Sequence, residues 1–380
     1  MVNSNADALG IIFPNSYDSL VPELVSERSM ASIPFASRYR LVDFALSSMV
    51  NSGIDNVSLI VRKNYHSLMD HLGTGREWDL TRKNGGLNIV PPFAQKNVKV
   101  YNGRVEALAS VIKFLTDQKE KYVVMSDANG VYNINFNELI DAHKAEGADV
   151  TIAYMEREIP PGILQANKDH KDFYYTLRLD GKRVKSILIN SQEDGVQNLS
   201  MNVYIIEREL LINQVEQAYT RGYSYFERDI LAPQLDKLNV CGYCYEGYAA
   251  YVNNMKSYFD ENMKLLKEEN IEALFSTNPI YTKIRDDNPT RYLNGAKASN
   301  VMVADGCVIE GEIENSILFR GVKIAKGAKV KNCILMQDTV VEEGAEIEYT
   351  ITDKNVTLTA GKEMKGTDTF PVYVAKGQIV

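Results

Sequence analysis

The sequence lacks several features that would assign it to a special class of protein. It has 42 lysines and arginines against 50 aspartates and glutamates, a net charge of −8, and so lacks the basic surface that binds nucleic acid. It contains no run of about 18 apolar residues that could span a membrane. Residues 1–7 lack the basic and then apolar layout of a signal peptide. We therefore expect a cytoplasmic protein that binds neither nucleic acid nor a membrane.

Cysteine is also scarce, because four in 380 residues cannot form a disulfide framework. Cys241 and Cys244 have the spacing of a redox motif, but such motifs stand at the start of a helix, which stabilises the thiolate. Residues 240–245 instead have the composition of a β-strand, on which residues three apart face opposite sides. We interpret the pair as part of a packed strand. The four histidines lack the spacing of metal ligands: His66, His71, His143 and His170.

Strand-like and helix-like segments alternate through the first two thirds of the chain. Helical patterns cover 105–115 and 136–143, and 255–269 predicts an amphipathic helix that closes the domain. This rhythm predicts an α/β domain with a mostly parallel sheet and helices on both faces. Ligands of such sheets bind at the carboxyl ends of the strands. Short apolar runs predict buried strands at 8–13, 57–61, 122–125 and 150–155.

Apolar residues recur at six-residue intervals in the last third of the chain, and glycines recur in the turns between them. This period is typical of a parallel β-helix, whereas the strands of a sandwich, the alternative, recur roughly every 8–12 residues. Such a solenoid ends in open sheet edges and often serves in oligomerisation. We therefore expect one domain over 1–275, a linker over 276–294 and a β-helix over 295–380. The repeating residues are Val301, Cys307 and Ile313; Leu318, Ile324, Val330 and Met336; and Val341 and Ile347.

Several segments resemble a known family. The strongest are 33–54, with the run RYRLVDF, 73–80, with GTGREWDL, and 84–92, with NGGLNIVPP; weaker ones are 200–205 and the repeats. Together they resemble glucose-1-phosphate adenylyltransferase (ADP-glucose pyrophosphorylase), and most closely its GlgD-type subunits. The resemblance implies a nucleotidyltransferase domain with a Rossmann-like, GT-A type sheet, followed by a left-handed parallel β-helix of hexapeptide repeats. It also implies the reaction of ATP with glucose 1-phosphate to give ADP-glucose and pyrophosphate.

The positions that bind phosphate in the family hold other residues here. The family's glycine-rich loop is replaced by GIIFPNSY at 10–17, where a proline and β-branched residues oppose the backbone cradle that binds a triphosphate. Met30 stands at the position of a lysine that contacts the nucleotide phosphates. Asn190 stands near the lysine that contacts the sugar phosphate. Arg104 replaces a threonine, so that a bulky side chain enters the region expected for the nucleobase and ribose.

The family's metal-binding aspartates are also missing. Asn129 and Tyr251 stand at the two positions, and neutral oxygens hold Mg²⁺ far more weakly than carboxylates. Asp127 lies two residues from the first position and could still reach inward. We expect no intact catalytic residue, no bound Mg²⁺ or ATP and no other cofactor. The degenerate positions are Met30, Asn129, Asn190 and Tyr251.

Three arginines remain where the family binds anionic effectors. Arg28 and Arg40 are the candidates for effector binding, since arginine suits the recognition of a phosphate; Arg38 lies between them. The alternative is that they form surface ion pairs with nearby acids such as Glu27 or Asp43.

The resemblance implies a non-catalytic regulatory subunit that modulates a catalytic glucose-1-phosphate adenylyltransferase subunit in a heterotetramer, with a possible sugar-phosphate effector. Two other hypotheses remain open, a weakly active Mg²⁺-dependent enzyme that uses Asp127 and a stand-alone sensor of sugar phosphates.

Overall fold

The computed structural model describes residues 7–91, 101–159 and 174–380. The described part of the first domain contains thirteen strands: β1 Ala8–Phe13, β2 Pro34–Phe35, β3 Tyr39–Arg40, β4 Asn56–Ile60, β5 Gly86–Val90, β6 Tyr122–Asp127, β7 Gly130–Tyr132, β8 Val150–Glu158, β9 Tyr175–Asp180, β10 Arg183–Ile189, β11 Val196–Glu207, β12 Val240–Cys244 and β13 Ala249–Tyr251. Its described helices are α1 Leu41–Asn51, α2 His66–Leu72, α3 Arg104–Ser110, α4 Ile112–Asp117, α5 Phe136–Ala145, α6 Arg208–Thr220, α7 Met255–Lys264 and α8 Glu268–Phe275. Single helical turns lie at Asp18–Leu20, Met30–Ser32, Arg76–Trp78, Phe226–Leu231 and Ala232–Gln234.

The main sheet has nine strands in the order β5-β4-β1-β6-β11-β8-β12-β10-β9. All except β10 and β11 point in the same direction, which confirms the prediction of a mostly parallel sheet. The predicted strands at 8–13, 57–61, 122–125 and 150–155 are β1, β4, β6 and β8. The Cys241–Cys244 pair lies on β12, as the strand interpretation requires.

Two of the predicted helices are broken. The helix predicted over 105–115 is divided into α3 and α4 at Val111, where φ is −113° and ψ is 14°. The helix predicted over 255–269 is divided into α7 and α8 after Lys264. At each break an apolar side chain, Val111 or Leu265, is buried. Contacts with the core therefore override the continuous helical pattern.

Helices cover both faces of the sheet, as predicted. Alternate residues of β1 face opposite sides: Ala8 and Ile12 pack with α1, α2 and α5, whereas Leu9, Ile11 and Phe13 pack with α3, α4 and α6. Because both faces are buried, the sheet is open to ligands only at the ends of its strands. The carboxyl ends of β1, β4 and β6 lie at the same edge.

The second domain is a parallel β-helix. Ile313, Val330 and Ile347 lie side by side in parallel register, so one coil takes 17 residues. Its strands are β14 Arg291–Tyr292, β15 Lys297–Val303, β16 Val308–Ile309, β17 Glu312–Leu318, β18 Lys323–Ile324, β19 Lys329–Lys331, β20 Ile334–Leu335, β21 Val340–Val341, β22 Glu346–Glu348, β23 Thr350–Thr352, β24 Thr357–Leu358, β25 Glu363–Lys365 and β26 Val372–Val374. The first of them, β14, falls within the stretch predicted as a linker.

Most of the predicted inward positions of the β-helix are confirmed. Cys307, Ile324 and Val341 are among those buried in its core. Met336 is an exception, because Leu335 stacks directly on Leu318 and is the residue that enters this core. Each full coil consists of two six-residue steps and one five-residue step. In this coil the five-residue step is the one that ends at Leu335. Met336 consequently points out of the solenoid and packs against the first domain.

The two domains share an apolar core. Ile317, Phe319 and Ile351 of the β-helix pack in one cluster with Phe44 and Tyr258 of the first domain. Part of the stretch 276–294 contacts α1, where the Ser47 hydroxyl accepts a hydrogen bond of 2.8 Å from the Tyr281 amide. Within the described ranges, no helix combines the length and the apolar character needed to cross a membrane.

A buried ion pair joins the domains beside this core. One guanidinium nitrogen of Arg28, Nη2, lies 2.7 Å and 2.8 Å from the two carboxylate oxygens of Asp353, and the side chains are 4% and 2% exposed. The Tyr373 hydroxyl lies 3.0 Å from the same carboxylate. Because water cannot screen either charge, each depends on the other for its stability in the folded state.

Replacing Asp353 with alanine should therefore destabilise the protein strongly. The substitution leaves the Arg28 charge buried and unpaired, and we expect the free energy of unfolding to fall by about 3 kcal/mol or more. Urea unfolding followed by the fluorescence of Trp78 measures the change. The matched control is Lys376→Ala, which breaks an exposed pair with Glu27 and should cost less than about 1 kcal/mol. Equal losses for the two variants would contradict the structural role of the buried pair.

Candidate functional site

A pocket lies at the carboxyl ends of β1, β4 and β6, where the sequence predicts the ligand site of the sheet. Phe13, Ile60 and Asp127, the last residues of these strands, line it. Asn15 and Ser16, from the loop after β1, complete one side. We call this the strand-end pocket, and its remaining lining residues are Tyr17, Arg62, Tyr101, Asn102, Gly103, Arg104, Ala107, Tyr175, Tyr225 and Glu227.

The side chain of Arg104, the first residue of α3, occupies the strand-end pocket. Its Nη2 lies 2.8 Å from Oδ2 of Asp127, and its Nη1 forms an ion pair with Glu227. The guanidinium carbon lies 5.0 Å from the ring centroid of Phe13 and 5.1 Å from that of Tyr204, within the range of cation–π attraction. The pocket therefore contains its own cation, held by two carboxylates and two aromatic rings.

Both oxygens of the Asp127 carboxylate have partners. Oδ2 bonds to Arg104, and Oδ1 accepts a hydrogen bond of 2.7 Å from the hydroxyl of Ser16. Burial alone would lower the pKa of Arg104, but the nearby Asp127, together with Tyr204 and Tyr17, outweighs that effect and raises it. The guanidinium thus stays charged at neutral pH. A metal ion at Asp127 would therefore compete with Arg104 for Oδ2 and with Ser16 for Oδ1.

The structure brings together Asn129 and Tyr251, the two positions at which the resemblance implies metal ligands. The strands β7 and β13 pair so that Gly130 lies opposite Tyr251, and the Val252 amide donates to the Asn129 carbonyl at 3.0 Å. Burial raises the pKa of Tyr251 well above its usual value, so its hydroxyl remains neutral. Among residues 7–91, 101–159 and 174–380, no three acidic, cysteine or histidine side chains are placed to share a metal ion.

Met30 and Asn190 lie outside the strand-end pocket. Met30 is fully buried in the apolar cluster shared by the two domains. Asn190 follows β10 with a left-handed φ of 50°, and its side-chain oxygen accepts a hydrogen bond of 3.1 Å from the Tyr174 amide. In this position Asn190 stabilises a turn of the backbone.

A second pocket lies between the domains and is rich in positive charge. We call it the interdomain cation pocket. It is lined by Pro34, Ser37, Tyr39, Asp70, His71, Phe319 and Gln337 together with six basic residues: Arg38, Arg40, Lys283, Arg285, Arg320 and Lys354. Asp70 is its one acidic lining residue, and the Lys283 amine lies 3.2 Å from the Asp70 carboxylate. The Arg285 guanidinium lies 3.3 Å from Asp287, which is not a lining residue. Among the described residues, the other four cations form no ion pair: Arg38, Arg40, Arg320 and Lys354.

The crowding of positive charge changes the ionisation of this pocket. Burial lowers the pKa of Lys354 to about 7, and repulsion by Arg40 and Arg28 contributes to the shift. Burial lowers the pKa of Arg40 to about 10. The Nε of Arg320 is buried without a hydrogen-bond partner. A bound anion would relieve the repulsion and supply the missing partner, and arginine-rich sites of this kind suit phosphate groups.

The two effector candidates occupy different places. Arg40 lines the interdomain cation pocket, where its Nη1 donates a hydrogen bond of 3.0 Å to the Ser67 hydroxyl. Arg28 is not among the lining residues, because its guanidinium pairs with Asp353 behind the pocket. The acid that pairs with Arg28, Asp353, is thus far away in the sequence. It is neither of the nearby acids, Glu27 and Asp43, that a surface ion pair would use.

Sequence reasoning missed Glu227 of the strand-end pocket and four of the six cations between the domains. Lys283 and Arg285 lie in the stretch predicted as a linker, and Arg320 and Lys354 lie in turns of the β-helix. The charges meet only when the domains dock. One weak signal was present in the sequence. Arg320 lies two residues after the inward-facing Leu318, and a basic residue is not expected at a buried turn position of an isolated solenoid.

The fold agrees with comparisons to known proteins. Residues 20–268 match the model of the nucleotidyl transferase family, and residues 284–369 match that of the GlmU-like, C-terminal hexapeptide. The chain is 39% identical to the glycogen biosynthesis protein GlgD of Geobacillus stearothermophilus, over 99% of this chain and 98% of that protein. It is 33% identical to GlgD of Bacillus subtilis (strain 168), over 86% and 83% of the two chains.

Glucose-1-phosphate adenylyltransferases are also similar along most of the chain. The protein of that name from Geobacillus stearothermophilus is 30% identical, over 85% of this chain and 82% of that one. Both kinds of relative extend across the sheet domain and the β-helix. The chain therefore belongs to the nucleotidyl transferase family, in the group formed by GlgD glycogen biosynthesis proteins and glucose-1-phosphate adenylyltransferases.

Proposed function

We propose that the chain is a non-catalytic regulatory subunit of a cytoplasmic glucose-1-phosphate adenylyltransferase that acts in glycogen synthesis. The names of its relatives support the pathway. The observation that carries the loss of catalysis is the position of Arg104, whose guanidinium lies between Asp127 and Glu227 inside the strand-end pocket. The side chain occupies the space and satisfies the carboxylates that a metal-bound nucleotide would need.

The loop after β1 supports the same conclusion. A triphosphate is held by free backbone amides and nearby cations. Here Pro14 has no amide hydrogen, and the side chain of Asn15 bonds to Asp18 at 2.9 Å instead of facing a ligand. Met30, at the position of the phosphate-binding lysine, is buried in the core. No basic group replaces it at that position.

The exposed first coil of the β-helix supports association with a catalytic subunit in a heterotetramer. Among the residues that the structure describes, the strand β15 pairs only with β17, and residues 297–300 are exposed. Its other edge therefore has free backbone groups that can pair with another chain. Side-chain bonds of 2.8 Å and 2.6 Å link Asn300, Asn315 and Asn332 in a ladder that ends at the exposed Asn300. Tyr292, which is 55% exposed on β14, adds apolar area at the same end.

The interdomain cation pocket supports an allosteric role. In our proposal, a sugar phosphate binds there as effector through Arg40 and its neighbouring cations, and Arg28 supports the pocket from behind through Asp353. Because the pocket is built from both domains, its ligand can favour one domain arrangement over another. An effector acts on the partner only if it binds the two arrangements with different affinity.

The regulatory proposal is tested by enzyme assays. The isolated chain, the isolated catalytic homologue and their mixture are compared for Mg²⁺-dependent synthesis of ADP-glucose. We expect no synthesis above background from the isolated chain, and a change in the partner's apparent substrate or activator affinity of about 5-fold or more in the mixture.

Two results would contradict this proposal. Synthesis by the isolated chain that disappears in Asp127→Asn would support a weakly active enzyme. Failure of the chain to co-purify with the catalytic homologue, together with unchanged partner kinetics, would support a stand-alone sensor. The control variant is Asp149→Asn, because Asp149 lies away from both pockets and accepts a hydrogen bond from the Asn239 amide.

The interdomain cation pocket predicts a pH dependence of anion binding. Sulfate is a suitable probe because it keeps two negative charges between pH 6 and pH 8.5. Lys354, with a pKa of about 7, is charged at pH 6 and neutral at pH 8.5, and it faces Arg40, Arg28, Asp353 and Lys376. Sulfate should therefore bind roughly tenfold more tightly at pH 6 than at pH 8.5.

Titration calorimetry measures this difference, with Lys354→Met as the matched variant. The variant should bind sulfate with a nearly constant affinity over the same pH range. The fluorescence of Trp78 provides a second readout, because its ring lies 5.8 Å from that of His71, which lines the pocket. A flat profile in the unaltered protein, or a steep one in Lys354→Met, would show that Lys354 does not contact the anion.

A further inference from the structure

The interdomain cation pocket and the strand-end pocket are connected by a series of hydrogen bonds and short backbone segments, which are buried at its centre. The chain begins at Lys354, whose side chain lines the interdomain pocket. The backbone amide of Lys354 donates a hydrogen bond of 2.7 Å to Oδ1 of Asp353, and this carboxylate holds the Arg28 guanidinium. A ligand that moves Lys354 must therefore act on the buried pair as well.

The middle of the chain joins two parts of the segment 14–31. The Met30 amide, two residues after Arg28, donates to Oδ1 of Asp18 at 2.8 Å. The other carboxylate oxygen of Asp18 accepts a bond of 2.9 Å from the side-chain amide of Asn15. The Ala31 amide adds a third link, donating to the Pro14 carbonyl at 3.1 Å.

Burial makes this middle part stiff. Asp18 is 7% exposed and Asn15 is 8% exposed. Burial raises the pKa of Asp18 to about 6, so it is mainly ionised at neutral pH and keeps two strong acceptors. Breaking either bond would leave a buried polar group without a partner, which makes independent movement of the two parts costly.

The far end of the chain lies in the strand-end pocket. The side-chain oxygen of Asn15 accepts a bond of 2.7 Å from the Arg62 amide, and its nitrogen donates to the Lys63 carbonyl at 3.0 Å. The next residue, Ser16, bonds to Asp127 and so touches the ion pair of Arg104. The loop after β1, which replaces the family's phosphate cradle, is thus tied to both pockets.

We propose that the segment 14–30 is an allosteric connection, through which an anion in the interdomain cation pocket changes the loop that lines the strand-end pocket. This inference rests on the proposed anion site. Asp18 is the positioning residue at its centre, because it contacts neither pocket and joins Met30 to Asn15. The coupling is reciprocal, so a change in the strand-end pocket alters anion affinity by the same factor.

Hydrogen exchange of the full-length protein tests the proposal, with sulfate as the probe. Saturating sulfate should slow amide exchange at residues 15–18 and 61–64 at least threefold. In Asp18→Asn, an amide nitrogen, which donates hydrogen bonds, replaces one of the two carboxylate oxygens. The bond from either the Met30 amide or the Asn15 side chain is therefore lost. We expect this variant to bind sulfate within twofold of the unaltered protein but to show no slowing at 61–64. The matched control is Glu27→Gln, which removes one exposed acidic charge next to Arg28 and should retain the full response.

Asn15→Ala provides a second break in the chain, at its far end, should Asp18→Asn fail to fold. It too should bind sulfate normally and lose the response at 61–64. The proposal is overturned if sulfate binds the unaltered protein without slowing exchange at 15–18 and 61–64, or if either variant keeps that response. A complete lack of sulfate binding would instead overturn the anion site, and the connection with it.

Discussion

The ion pair of Arg104 with Asp127 and Glu227 is the interaction on which the chemistry of this chain depends. A guanidinium buried in protein is stable only when carboxylates balance its charge, and here two do so. The same contacts leave Asp127 without a free oxygen, since Ser16 occupies the second one. One side chain therefore lines the pocket, pairs with both of its acids and makes an added metal ion unnecessary for the stability of the fold.

The interface between the domains has the opposite electrostatic character. Its apolar part and the buried pair of Arg28 with Asp353 hold the β-helix against the first domain. This docking brings six cations together around one acidic lining residue, Asp70, an arrangement that an anion would stabilise. Burial lowers the pKa of Lys354, and repulsion by Arg40 and Arg28 adds to the shift. We propose that the strand-end pocket has lost its catalytic role and that the interdomain cation pocket binds a regulatory anion. The segment 14–30 connects the two pockets.

Much of the fold could be predicted because it follows from local periodicity. The apolar run of β1 and the inward positions of the β-helix, such as Ile324, obey simple repeats that burial enforces. Predictions failed where packing competed with the pattern. The helix breaks at Val111, and the five-residue step puts Leu335 in the place expected for Met336. These outcomes depend on neighbours far along the chain, which periodicity does not describe.

The candidate sites could be predicted only in part, because many of their residues come together only in the folded protein. The sequence of residues 10–17 and the arginine at position 104 pointed to a changed pocket at the end of β1, and the structure places Arg104 in the lining of that pocket. The role of Glu227 could not be predicted, because it meets Arg104 only in the folded protein. Lys354 is likewise an ordinary turn lysine until the domains dock, and only the assembled structure shows its cationic surroundings.

The most direct test of the central claim is titration calorimetry of the isolated chain with ATP and Mg²⁺. The account predicts no saturable binding at millimolar nucleotide, because Arg104 occupies the pocket and no carboxylate pair is free for the metal. Stoichiometric binding of ATP that requires Mg²⁺ and is lost in Asp127→Asn would contradict it.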